Sequence, residues 1–529
     1  MFRRQFIAGA ATAAGSTLAR PSVAQPTGSR VLKFVPSAPL TALDPVWTTA
    51  AVTRVHGYLV FDSLYGLDAK LEPQPQMAEG HVAEPDGLTW TITLRSGLKF
   101  HDGSPVLARD CVASLRRWMK RSPMGQKLDS VTDELAAPDD RRLRFRLKRP
   151  FPLLLAALGS VGPQALIMPE RLASGDAFQQ TREMVGSGPY RFKHDEFNSG
   201  SFAAYERYAD YGPTPGSTVE LTAGPKRAYF DRVEWHMIPD AATAGAALQS
   251  GEVDWYEQPP PDLLQLFRRN RSVVTEKLDI WPQVGGLRFN CLQPPFNDRR
   301  MRQAILPAVD QADFAMSVAG DDPALWQAGA GVFTPGTPSA NAAGLDVLTG
   351  PRSVERAKQL LREAGYTSQP MRQLGATDLP SVAALSQVAA DLFRRIGMNN
   401  DFALSDWGTV VQRRASREPL ERGGWSVFQT TFSWFEFNDP ASNVALRGNG
   451  EAAYFGWPTM PGVEALREAW FDAPDAAARK TICEDIQRVA MDEVPFVPLG
   501  AFFFTTAFRS NIVDRVRALP LFWNIKRAA

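Results

Sequence analysis

Between residues 353 and 404 the chain switches repeatedly between two hydrophobic periods, and that switching restricts the fold more than any other feature. Ser353 can cap a helix whose inner face is Val354, Ala357, Leu360, Leu361 and Ala364, and Gly365 ends it. Val382, Leu385, Ala389, Leu392 and Ile396 form a second such face, stopped by Gly397. A strand-like run, Asp401 to Leu404, follows. Earlier, Trp90, Ile92 and Leu94 alternate with polar residues as a strand, and a helix is predicted from Ala108 to about Lys120. Arg142 to Lys148 also alternates, with Leu143, Phe145 and Leu147 on one side and four basic residues on the other, as expected of a half-buried strand. Interleaved helices and strands predict an α/β fold. At 529 residues the chain is too long for one core and should form two or three domains. Stretches rich in Gly and Pro at 211–224 and 329–338 separate its blocks.

The first residues read as an address. Arg3-Arg4 precedes a mild apolar stretch to about Ala19, and Ser22-Val23-Ala24 offers a small-x-small cleavage site. The twin arginine resembles a Tat signal, so residues 1–24 are expected to direct export and to be removed. Removal takes the 58 basic residues to 55 against 57 acids, a net charge of −2. No cysteine follows the site to carry a lipid. The longest later apolar run, Pro152 to Leu158, is far short of a membrane span. A soluble periplasmic protein is expected. The absence of a basic stripe argues against nucleic acid. Cys111, Cys291 and Cys483 are odd in number and widely spaced, so they suggest neither a disulfide framework nor a zinc site, although one bridge is open to them.

A search for chemistry finds none. GxSxG, HExxH and GxxxxGK[ST] are absent. Gly186-Ser187-Gly188-Pro189-Tyr190 is glycine-rich, but Pro189 removes a donor that a phosphate loop needs. The five histidines are scattered singly, and Asp492-Glu493 reads as a solvated helix end. No catalytic residue, cofactor or metal is expected.

Several segments, in order, resemble family five of the extracellular solute-binding proteins, the dipeptide, oligopeptide and nickel binders of ABC importers. They are Leu43-Asp44-Pro45, Phe61-Asp62-Ser63-Leu64, Leu71 to Glu79, Leu88 to Arg95 and Leu98 to Pro105. The set continues with Gly186 to Tyr190, Asn290 before Pro295-Phe296-Asn297-Asp298, Thr334-Pro335-Gly336, Ala357 to Tyr366, and Pro495 to Leu499. The resemblance implies a type II periplasmic-binding-protein fold of two lobes with an additional third domain. It divides the chain into lobe I (25–57, 185–285 and 500–529), an additional domain (58–184) and lobe II (286–499). It makes Val284 to Asn290 and Phe496 to Thr505 the crossings between lobes. Pro307 departs from the family pattern and should kink the helix after Asn297.

The implied function is capture of a peptide or peptide-like solute between the lobes and its delivery to a membrane permease with ATPase subunits, by a monomer. A nickel chelate, opine, sugar or haem would suit the same fold. A secreted hydrolase is the alternative from another class, and it lacks a recognisable nucleophile and base. With 13 Trp, some aromatics should line a pocket. Candidates for the cleft are Trp47 after the first strand, Trp281, Phe289 and Asn290 around the crossing, and Trp407 after a later strand. The sharpest segment is Phe432 to Pro440, in which Trp434 and Glu436 precede Asp439-Pro440. Peptide-binding relatives place an Asp at the position of Glu436, against the peptide amine. Glu436 could serve that role or pair with an Arg or Lys of the protein. Asp439 reads as a turn cap.

Overall fold

The computed structural model describes residues 30–48 and 50–528. The expected export leader, 1–24, lies outside them. Two large mixed sheets carry most of the chain. The first has seven strands, in the order Tyr190–Phe192, Phe202–Arg207, Arg232–His236, Val31–Val35, Trp255–Tyr256, Thr505–Arg509 and Val273–Lys277. Its centre is parallel: Val31–Val35 pairs in that sense with strands on both sides. The second has six strands, in the order Trp326–Gln327, Phe496–Phe502, Gln283–Phe289, Val427–Phe432, Pro370–Ala376 and Asn399–Ser405. A smaller antiparallel sheet of four strands spans Ala78–Ala83 to Arg142–Leu147.

The local patterns explain these elements. Helix Val354–Glu363 is capped by the Ser353 hydroxyl, which accepts from the Arg356 N–H. Helix Pro380–Arg395 buries Val382, Leu385, Ala389 and Leu392. Strand Arg142–Leu147 alternates buried and exposed residues as its sequence demands. At Pro307 the helix Arg299–Ile305 gives way to a 3₁₀ turn, Leu306–Ala308, because proline supplies no N–H to continue the α ladder. The apolar core of the four-stranded sheet is continuous with that of the six-stranded one, whereas most of the seven-stranded sheet's core forms separate clusters.

The chain passes between the large sheets at 278–282 and again at 503–504. Of the two runs expected as crossings, Val284 to Asn290 starts just after the first passage and its strand stays in the six-stranded sheet, whereas Phe496 to Thr505 contains the second passage, between strand Phe496–Phe502 and strand Thr505–Arg509. The two passages are tied together by the Leu278 N–H, which donates to the Phe504 carbonyl at 2.8 Å. Few backbone bonds therefore resist rotation of one lobe against the other at these points.

Several family-like motifs turn out to be joinery. Asp44 is fully buried; it pairs with Arg117 at 2.7 Å and accepts from the Val46 and Thr181 N–H groups. Gly186 and Gly188 lie flat against the end of helix Ala51–Val60. A Cβ at Gly186 would sit 2.0 Å from the Val60 carbonyl oxygen, so only glycine fits. His101 Nε2 bonds the Gly188 carbonyl oxygen at 3.0 Å, which stitches the smaller sheet's region to the seven-stranded lobe. The three cysteines are free.

Candidate ligand chamber between the lobes

In an open parallel sheet, ligands gather beyond the carboxyl ends of the strands. Two neighbouring parallel strands of the seven-stranded lobe end at Val35 and Tyr256. Just past them the Ser37 N–H donates to Glu257 Oε2 at 2.6 Å, and the Glu257 N–H donates to the Val35 carbonyl oxygen. Helix Ala51–Val60 presents Arg54 and Tyr58, one turn apart on one face, both buried. The passage 278–282 supplies Asp279 and Trp281. Arg515 fixes the start of this passage, binding the Lys277 and Leu278 carbonyl oxygens and pairing with Glu276 at 2.6 Å.

From the other lobe, strand Val427–Phe432 runs into a 3₁₀ turn, Trp434–Glu436. A capping box closes this turn: Glu436 Oε2 accepts from the Ser433 N–H at 2.7 Å. Thr334 braces it, its hydroxyl donating to the Trp434 carbonyl oxygen. The Trp281 indole N–H donates to the Gly336 carbonyl oxygen at 3.1 Å, so the Thr334-Pro335-Gly336 motif locks both tryptophans. Their rings lie 4.6 Å apart at 44°. Trp434 and Phe435 reach across to pack in one cluster with Tyr58, Leu221, Leu521 and Trp523.

The charges here are unusual. Arg54 lies 4.2 Å over the Phe435 ring. Burial lowers its pKa, and Glu436 is the strongest of the groups that oppose this, ahead of Tyr58 and Asp279. Burial pushes the Tyr58 hydroxyl up to about 12. Burial likewise raises Asp279 to about 8, against the pulls of Arg515, the Trp434 N–H and Arg54, and with a push from Glu257. Glu257 itself is raised to about 7 by burial.

Several polar groups of this region lack a hydrogen-bond partner among the described residues. Asp279 Oδ1 and the indole nitrogens of Trp434 and Trp523 are buried with none. Trp434 is near enough to Asp279 to favour its charged form, but not in bonding geometry. Gln164 lies beside the Tyr58 hydroxyl, yet neither amide atom is in bonding geometry with any protein group. Buried polar groups are normally satisfied, so these atoms are exceptions to the rule.

The sequence candidates divide accordingly. Trp281, Trp434 and Glu436 come together where the two lobes meet. Of the partners open to Glu436, Arg54 stands beside it. Trp407 begins helix Trp407–Arg413, capped by Asp406, and the Arg414 guanidinium lies 5.3 Å over its ring. Arg414 Nη1 donates to the Tyr454 hydroxyl, and Tyr454 also senses Glu436, so Trp407 belongs to a neighbouring aromatic group on that side. Trp47 is 37% exposed, and its indole N–H donates to the Phe178 carbonyl oxygen. Phe289 is fully buried against Phe296, at 4.7 Å. Asn290 is fully buried too, donating to the Trp425 carbonyl oxygen and accepting from the Leu292 N–H. The contacts of these last two are packing and turn closure inside the six-stranded lobe. Asp439 caps its turn as expected, accepting from the Ser442 N–H at 2.8 Å. Arg54, Tyr58, Gln164, Asp279, Glu257 and Trp523 were not singled out by sequence. Asp279 alone carried a local signal, an acid inside the apolar run Leu278 to Trp281.

The profile of the bacterial extracellular solute-binding proteins, family 5, matches residues 72–453. The chain belongs to that family. Along its whole length, this family 5 protein is 36% identical to a Sinorhizobium fredii protein named a probable peptide ABC transporter periplasmic-binding protein, over 98% of each chain. Two solved structures share its fold. One is an ABC transporter-associated periplasmic binding protein from Helicobacter pylori in complex with the peptide STSA, with a TM-score of 0.78, 20% identity, and coverage of 94% of this chain and 98% of that one. The other is a periplasmic binding protein from A. tumefaciens R10 in complex with agropinic acid, with a TM-score of 0.78, 21% identity, and coverage of 94% and 99%. The family 5 protein therefore has the two-lobed type II fold with an added region, and its relatives are binding proteins of ABC transporters, not enzymes. Among the described residues no helix is long and apolar enough to cross a membrane, and no group of three His, Cys, Asp or Glu could hold a metal ion.

Proposed function

We propose that this family 5 protein captures a peptide or peptide-like solute in the chamber between its lobes and hands it to a membrane permease driven by ATPase subunits. The observation that carries the reading is the convergence of unpartnered buried polar groups and aromatic walls from both lobes. The Sinorhizobium fredii relative, named for peptide transport, supports the ligand class. Trp281, Trp434 and Glu436, with Arg54, Tyr58, Gln164, Asp279 and Trp523, form the proposed lining. The protein acts as a monomer. The division into lobe I (25–57, 185–285, 500–529), additional domain (58–184) and lobe II (286–499) follows the membership of the three sheets except at two edges, where 283–285 and 500–502 lie in strands of the six-stranded sheet. The N-terminal leader carries it to the periplasm by the twin-arginine route and is cleaved near Ala24.

Capture requires that the closed form bind the solute better than the open form does. Native mass spectrometry of protein purified from the periplasm tests the ligand class. A retained mass that fragments as a short peptide supports the reading. A retained metal chelate, sugar or haem replaces it.

A further inference from the structure

We infer that Asp279, in the passage between the lobes, is the seat for a positively charged group of the solute, an ammonium or guanidinium, with Trp281 and Trp434 forming the wall beside it. The inference rests on the capture reading above and assigns its ionic contact.

The geometry is what argues for this. Asp279 is 8% exposed, and its Oδ1 has no hydrogen-bond partner among the described residues. Its Oδ2 accepts only a long bond from Gln283 Nε2, at 3.3 Å. The charged and titratable groups facing it are Arg54, Glu257 and Arg515, with the Trp434 indole N–H. Both arginines pull its pKa down, but neither makes a described ion pair with it. Arg515 spends its donors on Glu276 and on the Lys277 and Leu278 carbonyl oxygens. Arg54 lies over Phe435, and Glu436 is the largest electrostatic influence on it. Glu257, by contrast, adds negative charge. Two buried carboxyls, one of them incompletely bonded, are held largely protonated near neutral pH and can each give up a proton as a cation arrives. An ion pair formed there is worth more than one at a surface. The Trp434 indole nitrogen, fully buried and without a hydrogen bond in good geometry among the described residues, is a further polar atom at the same place.

Position adds a consequence. Asp279 sits on the segment that must move when the lobes close, so an ion pair there couples capture to closure. Burial holds Asp279 at about 8 in the ligand-free protein. A cation lowers that value, so near neutral pH the carboxyl releases a proton as the cation binds, and affinity rises with pH up to about 8.

The test uses paired probes, cationic and neutral: an equimolar set of alanine-based tripeptides with free amino termini, the same set Nα-acetylated, agmatine, and N-acetylagmatine as a compound that keeps one cation. Binding to the full-length mature protein is read by native mass spectrometry and calorimetry, for wild type, Asp279→Asn and Glu257→Gln. The expected result is that wild type takes only probes with a cation and releases protons in doing so. Asp279→Asn should lose roughly 30-fold in affinity, about 2 kcal/mol, with its fold intact by circular dichroism. Free and acetylated tripeptides binding equally, unaffected by Asp279→Asn, would overturn the cation seat and leave peptide capture standing. Binding of agmatine alone, lost in Asp279→Asn, would keep the seat and remove the peptide reading. Failure of every probe would remove both.

Discussion

Asp279→Asn should stabilise the ligand-free protein, and the gain should depend on pH in a defined way. The carboxyl moves from an ordinary value of 3.8 to about 8 on folding, chiefly through burial. Above about pH 4 the unfolded chain loses this proton while the folded protein keeps it, until the pH reaches about 8. Wild type therefore loses stability as pH rises through that window, by up to about 1.4 kcal/mol per pH unit, with a ceiling of roughly 6 kcal/mol. Above the folded value the penalty is constant. Asn has the same shape and no proton to lose, so it escapes the penalty. Glu257, raised to about 7, contributes with the same sign over a narrower window, and it ionises more easily once the Asp279 charge is gone. Equilibrium denaturation of ligand-stripped wild type and variant, from pH 5 to 9, measures this. The difference between the two should widen as pH rises to about 8 and then level off. A difference independent of pH, or a variant weaker than wild type at the alkaline end, would refute the account of Asp279 as a carboxyl that burial keeps protonated.

Other consequences follow from neighbouring contacts. Glu436→Gln keeps an acceptor for the Ser433 N–H but removes the charge beside Arg54. It should lower the melting temperature of the ligand-free protein by an amount equivalent to about 1 kcal/mol and alter binding of a free-amine tripeptide only a few-fold; lost affinity with unchanged melting would make Glu436 the anchor instead. Arg288 is fully buried and donates to the carbonyl oxygens of Tyr454, Phe455, Ala445 and Pro495. Arg288→Met strands these acceptors and should cost about 3 kcal/mol or more in denaturant unfolding, and a loss under about 1 kcal/mol would contradict their weight. Arg3-Arg4→Lys-Lys should leave unprocessed protein in the cytoplasm on fractionation, whereas normal periplasmic yield would point to the general secretory route.

The fold was legible because its evidence is local. Hydrophobic period, caps and glycines specified the helices near 354–363 and 380–395, and ordered motifs specified the family. Several of those motifs owe their composition to close packing, as Gly186 does against Val60. The chamber was legible only in part. Trp434 stood out in the aromatic run before Asp439-Pro440, and Trp281 as a flank of an expected crossing strand. Arg54, Tyr58, Gln164, Asp279 and Trp523 come from distant segments and meet only when both sheets and the C-terminal stretch are in place. Phe289 and Asn290 were drawn to the cleft by their place on a long strand. An interior strand buries both faces, and their side chains found partners within their own lobe.

The central claim is that a solute is captured by closure of two lobes about the passages at 278–282 and 503–504. X-ray scattering of the mature protein, stripped of its co-purified molecule and then reloaded with it, tests this most directly. The account requires a smaller radius of gyration in the loaded form, together with stabilisation by mass action of about 2.7 kcal/mol at 100 times the dissociation constant. A loaded protein that is stabilised to this degree but scatters identically to the stripped one would contradict closure.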